Sequence, residues 1–388
     1  MRHLQDFCFA NSMDAYVSFS MADRPLSQIK NSYRIGNPFT AKLHALLSRI
    51  AGKQSYYNHI TTWLFLRYLD QVKPDVVHLH NVHSNYIHLN MLLAYLAKRD
   101  IATVITMHDC WFFTGGCFHY SNANCDKWQR GCGHCPKRML DTKAYFWDAS
   151  ASILRDRAYY LNAIPRLVIV GCSKWISSEC RKSIIGKREI ISIYNGFDLS
   201  VYKPSDSNCR KKLGLSDKFV ILGPANKWLS SVNKDTFQYF INNMPDDIVM
   251  ILFGCKDICN ISYSGNVIKI GYISDPCEMA KLYSMADVFV NCSREDTLSS
   301  LNIECQACGT PVVTYEATGS KETVDNKCSF AIETGNFKKL FDKMLEVKES
   351  GKENFSKACC ERIKEKFELN RNIMAYMDLY KSFDSNIV

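Results

Sequence analysis

The sequence predicts an α/β protein made of two doubly wound domains, each with a parallel sheet covered by helices. Apolar runs of five to seven residues recur along the chain and are typical of buried parallel strands. Most of these runs are separated by segments with helical spacing, as crossover connections require. The stretch YNGFDLSVYKP (194–204), punctuated by Gly and Pro, lies between two series of runs and marks the predicted domain boundary.

Several apolar runs are predicted strands and two intervening segments are predicted helices. The strands are DVVHLH (75–80), ATVITM (102–107), LVIVGCS (167–173), FVILGPA (219–225), IVMILFG (248–254), VIKIGY (267–272), VFVNCS (288–293) and PVVTY (311–315). The helices are HLNMLLAYLAKRD (88–100) and EMAKLYSMAD (278–287). Ligands of open parallel sheets bind beyond the carboxyl ends of the strands, so the loops after these runs are the expected sites.

The domain prediction has three parts. Residues 1–198 form the first domain, residues 199–365 form the second, and residues 366–388 form a helix that crosses back to the first. A chain of 388 residues exceeds what one hydrophobic core usually serves. The start of the chain lacks the pattern of a secretory signal, and no apolar run reaches the roughly 18 residues of a membrane span. We therefore expect a cytoplasmic protein whose 18 cysteines are mainly reduced thiols.

The positive charge is concentrated in the first domain. Residues 1–198 contain 24 Lys and Arg against 14 Asp and Glu, a balance of +10, and the rest of the chain contains 24 against 25, a balance of −1. Such a field favours an anionic partner, such as an acidic lipid surface or a pyrophosphate-linked acceptor. A nucleic-acid partner is not expected, because the basic residues do not form a dense run interleaved with aromatic side chains.

The segment SREDTLSSLNIECQACGTPVV (293–313) follows a predicted strand and leads into a helix predicted from about 299 to 308. A helix entrance offers N–H groups and positive potential to a phosphate. Glu304 is placed to accept hydrogen bonds from two adjacent sugar hydroxyls, and Asp296 precedes the helix. The alternative interpretation is an acidic residue that complements the helix dipole and an exposed helical Glu.

This segment resembles the donor-binding motif of the family 4 glycosyltransferases, in which an acidic residue, seven others and a Glu precede ACGTPVV. The segments KPDVVHLHNVHSNY, TMHDCWFFTGGC, CSKWISSEC and GYISDPCEMAKLYSMADVFVNCSREDT resemble other blocks of that family, in the same order. The resemblance covers roughly residues 30–380. It is greatest to the bacterial exopolysaccharide and lipopolysaccharide subgroup, which has HDCW and a Cys-rich loop.

The resemblance implies the GT-B fold, with two Rossmann-like domains that face each other across a cleft. It also implies a retaining transfer of sugar, without a catalytic metal, from a nucleoside diphosphate sugar to a lipid-linked or polysaccharide acceptor. Glu304 would hold the ribose, and the donor sugar and diphosphate would be held by Asp296 with the amides of Thr297, Leu298, Ser299 and Ser300. The amphipathic stretch AKLHALLSRIAGK (41–53) fits peripheral docking on an anionic membrane, and a core helix explains it equally well.

The HDCW motif supplies the predicted catalytic residues of the first domain. His108 follows a predicted strand and matches the family histidine that faces the donor sugar, where it can orient hydroxyls and stabilise charge. Asp109 is expected to fix the tautomer of His108. A capping His–Asp pair at a strand end is the alternative. For the neighbouring histidines we favour cleft and core roles over a metal site: His78, His80, His83 and His88.

The Cys-rich loop is a candidate zinc site. Cys117, Cys125, Cys132 and Cys135 form a C-x7-C-x6-C-x2-C series, of which only the last pair has the usual zinc-ligand spacing. His119 and His134 are possible substitute ligands. A structural Zn²⁺ would stabilise a loop with little apolar material. Free thiols and a disulfide are the alternatives.

Two departures from the family pattern predict weak turnover. The chain is expected to begin in the helix after the family's first strand and Gly-rich loop, so that the first domain lacks both. The family also places an Arg and a Lys after the first strand of the second domain, where this chain has Ser231 and Val232. Lys227 or Lys234 would have to supply the missing charge.

Two other functions compete with an active transferase. A degenerate homologue that acts as a binding or scaffold protein is the main alternative. A sugar-nucleotide epimerase on the same fold is disfavoured by the family blocks.

Overall fold

The computed structural model describes residues 1–21, 28–83, 85–205, 208–255 and 261–383. The chain forms two compact units. The first contains Met1–Ile193 and the chain from Ile373 onward, and the second contains Tyr194–Asn372. The predicted boundaries at 198 and 366 lie a few residues from these divisions. The last helix, Leu369–Ser382, passes from the second unit to the first.

The first unit alternates helices and strands along most of its length. Its elements are α1 (Arg2–Ala10), β1 (Val17–Phe19), β2 (Ser32–Arg34), α2 (Pro38–Ala51), α3 (His59–Val72), β3 (Val76–His80), α4 (Leu89–Lys98), β4 (Ala102–Met107), α5 (Ser150–Ala163), β5 (Leu167–Gly171), α6 (Lys174–Lys182) and β6 (Glu189–Ser192). The connection between β4 and α5 contains short helical turns at Trp111–Phe113, Ser121–Ala123, Lys127–Gln129 and Arg138–Thr142.

The main sheet of the first unit is parallel, in the order β3-β4-β5-β6, and β1 and β2 form a separate parallel pair. Every residue of β4 and of β5 is buried, which explains why both strands are continuous apolar runs rather than alternating ones. Tyr376 of the last helix packs against this sheet, where its hydroxyl lies 2.9 Å from Thr106 Oγ1. Tyr376 of the last helix is therefore part of the hydrophobic core of the first unit.

The second unit has the same alternating plan. Its elements are α7 (Cys209–Lys212), β7 (Phe219–Pro224), α8 (Ala225–Trp228), α9 (Lys234–Asn243), β8 (Ile248–Phe253), β9 (Ile261–Ser264), β10 (Val267–Ile270), α10 (Pro276–Met285), β11 (Val288–Asn291), α11 (Ser300–Ala307), β12 (Val312–Tyr315), β13 (Phe330–Ile332), α12 (Phe337–Ser350) and α13 (Glu353–Phe367). The last helix, α14 (Leu369–Ser382), begins in this unit and belongs to the first unit from Ile373 onward. Short helical turns lie at Ser231–Asn233 and Thr318–Thr323.

The sheet of the second unit has the order β13-β12-β11-β7-β8-β10-β9. All neighbouring strands are parallel except β9, which is antiparallel to β10. Alternate residues of the central strands enter two different cores: Ile221 and Val290 pack with Trp228 on one face, and Leu222 and Phe289 lie on the other. The predicted architecture of two parallel-sheet domains is confirmed.

None of the helices in the described ranges has both the length and the hydropathy that crossing a bilayer requires.

Candidate active site

The loop between β11 and α11 lies at the carboxyl edge of the second sheet, next to β7 and β12. Its conformation is set by the buried side chain of Asn291, the last residue of β11. The Asn291 amide donates to Ser299 Oγ at 3.1 Å and to Asn302 Oδ1 at 2.9 Å. The side-chain Oδ1 of Asn291 accepts a hydrogen bond from the Ser293 N–H at 3.0 Å. The end of the strand and the start of the helix are thus tied through one side chain.

A second set of contacts fixes the backbone at Asp296. The Asp296 N–H donates to Thr318 Oγ1 at 2.8 Å, and the Asp296 carbonyl accepts from the Gly319 N–H at 2.8 Å. A Cβ at position 319 would lie 1.7 Å from the Thr297 carbonyl oxygen, so only glycine permits this approach. Thr297, Leu298 and Ser299 are buried, and Ser300 is exposed at the first helical position.

Glu304 lies one turn inside α11, with its carboxylate among tyrosines. Glu304 Oε2 accepts a hydrogen bond from the Tyr283 hydroxyl at 3.0 Å, and the Tyr202 hydroxyl also bonds this carboxyl group. Burial raises the pKa of Glu304 to about 7, and the two tyrosine hydrogen bonds act in the opposite direction. Both protonation states are therefore populated near neutral pH.

Two cations stand near the carboxyl end of β11, and Asn233 links their segments. The Asn233 amide donates to the carbonyls of Lys227 at 3.1 Å and Cys292 at 2.9 Å, and its Oδ1 accepts from Arg294 Nε at 3.0 Å. Burial raises the pKa of Cys292 to about 12, while the charges of Lys227 and Arg294 act to lower it. Both positive groups are therefore close to the end of the strand.

Sequence reasoning considered Lys227 and Lys234 and missed Arg294. Lys234 is exposed at the start of α9, and Ser231 and Val232 are exposed just before it. Arg294 is adjacent to the predicted motif in sequence. Only the hydrogen bond from its side chain to Asn233 shows that the guanidinium points toward the segment between α8 and α9. No sequence pattern signals that contact.

His108 follows β4 at the carboxyl edge of the first sheet, beside a histidine of the neighbouring strand. His108 Nε2 lies 3.0 Å from His80 Nδ1, and the two rings are stacked. His78 precedes His80 by two residues and therefore lies on the same face of β3. Its Nδ1 lies 2.6 Å from the Tyr380 hydroxyl, and its Nε2 lies 2.7 Å from Thr106 Oγ1. His108 is therefore hydrogen-bonded to His80, and the ring of His80 contacts that of His78 with 4.0 Å between the ring centroids, so that the three rings form one series.

Burial keeps this series uncharged. It lowers the pKa of His78 to about 3 and also lowers the pKa values of His80 and His108. In a neutral pair one imidazole donates and the other accepts, so the proton position on His108 is linked to that on His80. His108 is therefore a hydrogen-bonding group at neutral pH rather than a cation.

The expectation that Asp109 fixes the tautomer of His108 is wrong. Asp109 Oδ2 lies 3.2 Å from His83 Nε2, and Oδ1 accepts from the Trp111 N–H at 2.8 Å. The carboxylate thus accepts a hydrogen bond from the first N–H of the helical turn Trp111–Phe113. The ring that is hydrogen-bonded to His108 is that of His80. The Asp109 charge still acts on His108 in the direction that raises its pKa.

The four predicted zinc ligands come together in the first unit. Cys117, Cys125, Cys132 and Cys135 line a single cavity of about 20 Å³. All four are free thiols.

Comparisons with known proteins find glycosyltransferase domains in both halves of the chain. A family model for "Glycosyltransferase Family 4" matches residues 41–201, and a model for "Glycosyl transferases group 1" matches residues 218–350. The chain is 23% identical over 267 residues to WcaC of Escherichia coli K12, a glycosyl transferase assigned to colanic acid biosynthesis. That alignment covers 65% of this chain and 62% of WcaC, so it spans less than two thirds of the relative.

Solved structures share the fold. A sucrose-phosphate synthase from Thermosynechococcus elongatus superposes with a TM-score of 0.68 at 15% identity, over 99% of this chain and 92% of that one. Anabaena HepE, solved in complex with UDP, gives 0.60 at 15% identity, over 83% and 82%. The two sheets and the two matched domains define a glycosyltransferase-type protein with the GT-B fold. The two matched models, one for glycosyltransferase family 4 and one for glycosyl transferases group 1, identify the chain as a glycosyltransferase.

Proposed function

We propose that the chain transfers a sugar, with retention of anomeric configuration, from a nucleoside diphosphate sugar to a lipid-linked or polysaccharide acceptor. The match to the family 4 model supports the reaction class, the similarity to WcaC supports a polysaccharide product, and the similarity to HepE, solved in complex with UDP, supports the donor class. One observation carries the proposal: a buried carboxyl group, Glu304, lies one turn behind a rigidly held helix entrance. Such an arrangement suits a nucleotide whose ribose and diphosphate are recognised separately.

The geometry of the second unit supports a set of proposed donor contacts. The first turn of a helix has N–H groups without intrahelical partners, so residues 297–300 can bind the diphosphate. Lys227 and Arg294 would offset the charge of the leaving diphosphate. Glu304 would accept hydrogen bonds from the ribose hydroxyls, and Asp296 would bind the donor sugar. Lys234 has a weaker claim because it is exposed on α9.

His108 is the proposed catalytic residue of the first unit. As a neutral imidazole that shares a hydrogen bond with His80, it would bind a hydroxyl of the transferred sugar and polarise it as the glycosidic bond breaks. Asp109 then has a positioning role, since it holds His83 and the backbone of the turn that follows His108.

A degenerate homologue remains the second candidate, favoured by one observation. Ser231 and Val232 occupy the positions of the family's basic pair, and neither carries a charge. If Lys227 and Arg294 do not replace that pair, the chain binds a donor and turns it over slowly.

A surface of the first unit supports docking on an anionic membrane. Phe39, Leu43, Leu46, Leu47 and Ile50 form one exposed stripe along α2. The exposed aromatic side chains of residues 145–147 continue it, because the Tyr145 N–H donates to the Arg49 carbonyl at 2.8 Å. We call these two segments the docking face. Lys42 and Arg49 are exposed on the same helix, so the surface is both basic and amphipathic. Such a surface fits the interface of an acidic bilayer, where a lipid-linked acceptor would be found.

A thermal-shift screen with UDP-, GDP- and ADP-sugars tests the donor assignment. A ligand that binds only the folded state raises Tm by mass action. We expect one nucleotide class to stabilise the wild-type chain and not the Glu304→Ala variant. A flat response to all three classes would reject the donor site, and donor binding without any transfer to glycan or lipid-linked acceptors would favour the degenerate homologue.

A further inference from the structure

We propose that Cys117, Cys125, Cys132 and Cys135 bind one structural Zn²⁺ as a four-thiolate site in the first unit. The site is independent of the proposed donor contacts, which belong to the second unit. Its role is to hold the long connection between β4 and α5.

The connection needs a source of stability. Between Met107 and Ser150 its regular structure consists of three single helical turns and one short π-helical segment. The four cysteines come from different parts of this segment, yet all line the same cavity, together with Gly115, Trp128 and Ser150. A cavity of about 20 Å³ accommodates one water-sized species. A metal there would join four points of the loop.

Hydrogen bonds already orient the sulfurs. The Gly115 N–H donates to Cys132 Sγ at 3.3 Å, and the Lys137 N–H donates to the Cys135 sulfur. A Cβ at position 115 would lie 2.9 Å from the Cys132 Cβ, so the close approach of this backbone requires glycine. N–H groups aimed at sulfur stabilise the thiolate form, which is the form that binds a metal.

The turn between the last two cysteines is held from both sides. Lys127 Nζ donates to the carbonyls of Gly133 at 3.2 Å and His134 at 3.1 Å. The Cys135 N–H donates to Asp148 Oδ2 at 2.6 Å. The backbone that carries the two ligands with C-x2-C spacing is thus fixed before any metal binds, which lowers the entropic cost of binding.

Arg157 and Lys127 can offset part of the negative charge of a zinc tetrathiolate, while the carboxylates of Asp141 and Asp148 act in the opposite direction. Four thiolates and Zn²⁺ carry a net charge of about −2, which has to be offset if the site is buried. The buried guanidinium of Arg157 lies within electrostatic range of Cys117 and Cys132 and donates to the Thr114 carbonyl at 2.7 Å.

Zinc binding would require the four cysteine sulfurs to move closer together. In the part of the chain that the structure describes, no three His, Cys, Asp or Glu side chains are already arranged as metal ligands. Zn–S bonds of about 2.3 Å would bring the sulfurs to about 3.8 Å from each other. The predicted substitute ligands, His119 and His134, are placed less well. His119 packs against Trp175, and neither histidine is among the residues that line the cavity.

Metal content and cobalt spectroscopy test the proposal. Wild-type protein expressed with added zinc and purified without chelators is expected to contain about one Zn per chain and to release it to a thiol-specific mercurial. Cys132→Ser/Cys135→Ser is expected to lose the metal, and Cys277→Ser, which alters an exposed cysteine of the second unit, is expected to keep it. Co²⁺ added to reduced, zinc-free wild type is expected to give the intense sulfur charge-transfer and d–d bands of a tetrathiolate.

Three results would overturn the proposal. One is a zinc content below about 0.2 per chain together with no cobalt spectrum in the reduced wild type. Another is full zinc retention by the Cys132→Ser/Cys135→Ser variant. The third is a cobalt spectrum with too weak a charge-transfer band for four thiolates. The cobalt titration uses wild-type protein, so the test holds even if the double variant does not fold.

Discussion

Glu304 combines two properties that are usually opposed: it is largely buried, and its proposed task requires a negative charge. The cost of burying that charge is visible in its pKa of about 7, against an ordinary value of 4.5. Ribose hydroxyls would add hydrogen bonds to the carboxylate and so favour the charged form. Nucleotide binding and proton release at Glu304 are therefore expected to be linked.

The first prediction concerns this linkage. Glu304→Gln is expected to weaken nucleotide binding by about 1.5 to 3 kcal/mol at pH 8, because a charge-assisted contact is lost. Wild-type affinity is expected to rise as the pH rises toward about 7 and to level off above it. The stability of the free protein is expected to fall between about pH 4.5 and 7, because burial favours the protonated form and raises the pKa of Glu304 from 4.5 to about 7. Calorimetric titration from pH 6 to 8 measures the first effect, and Tm across pH 4.5 to 8 measures the second. A parallel pH dependence in the Gln variant would rule out Glu304 as the source.

Arg294 and Lys227 give a second prediction. Arg294→Ala is expected to reduce transfer by about 10²-fold or more if it stabilises the leaving diphosphate, since that is the usual effect of removing one such donor. Ser231→Arg/Val232→Lys is expected to restore part of this loss, because it places the family's charges after the same strand. The matched control is Lys357→Ala, an exposed lysine of α13. Kinetics of the four proteins decide, and an Arg294→Ala variant with full activity would contradict the assignment.

His108 leads to a third prediction. His108→Ala is expected to lower kcat for transfer far more than it weakens donor binding, because a polarising contact strengthens as the sugar bond breaks. His80→Asn is expected to show a smaller loss and a shifted pH profile, since it alters the hydrogen-bond partner of His108 and leaves the ring itself. Equal losses in kcat and in donor affinity would indicate that His108 only positions the sugar.

Among the elements, α4 has an unusual helix cap. His88 precedes the helix, and its Nδ1 accepts from the Met91 N–H at 3.3 Å. Burial and the neighbouring His59 lower the pKa of His88 to about 4. A protonated ring cannot accept this hydrogen bond, so the cap works only in the neutral form.

A fourth prediction follows for α4. Because the folded-state pKa of His88 lies below its ordinary value of 6.5, its contribution to stability is complete above about pH 6.5 and is lost as the pH falls toward 4. His88→Asn is expected to keep a good cap and to have a flatter dependence of Tm on pH between 6.5 and 4. Thermal unfolding of both proteins across this range measures the difference. Curves of identical shape would show that another group causes the acid destabilisation.

The elements also show how much of the fold and of the candidate site can be predicted from the sequence. Each of the eight apolar runs contains a strand. Four of these strands, β4, β5, β11 and β12, are buried at every residue, which requires mainly apolar residues. Strands such as β6 and β13 were missed, since they are short and partly exposed. The motif residues were located correctly on a strand–loop–helix unit, whereas the partners of Asp109 and Arg294 depend on side chains distant in the chain. Such contacts require the tertiary structure.

At the scale of the whole molecule, charge and exposed apolar surface occur in the same half of the chain. Residues 1–198 carry a formal charge of +10 and the rest −1. The docking face also belongs to the first unit, with Phe39 77% exposed and Trp147 62% exposed. Neither property alone indicates a membrane, but large exposed apolar side chains beside basic ones fit an acidic bilayer interface.

The last prediction is that this face binds anionic vesicles. Wild-type protein is expected to float with vesicles that contain phosphatidylglycerol and to remain behind with phosphatidylcholine alone, and added salt is expected to weaken the binding. Lys42→Glu/Arg49→Glu is expected to reduce the partition coefficient by at least about 30-fold, since each basic residue near the surface contributes about 1 kcal/mol and each reversal removes more than that. Phe146→Ser is expected to weaken binding without changing its dependence on salt, because it removes only apolar contact. Lys357→Glu/Lys364→Glu, which reverses two exposed lysines of α13 in the second unit, serves as the charge-matched control. Equal flotation with both kinds of vesicle, or an equal loss in the control, would show that the docking face has another role.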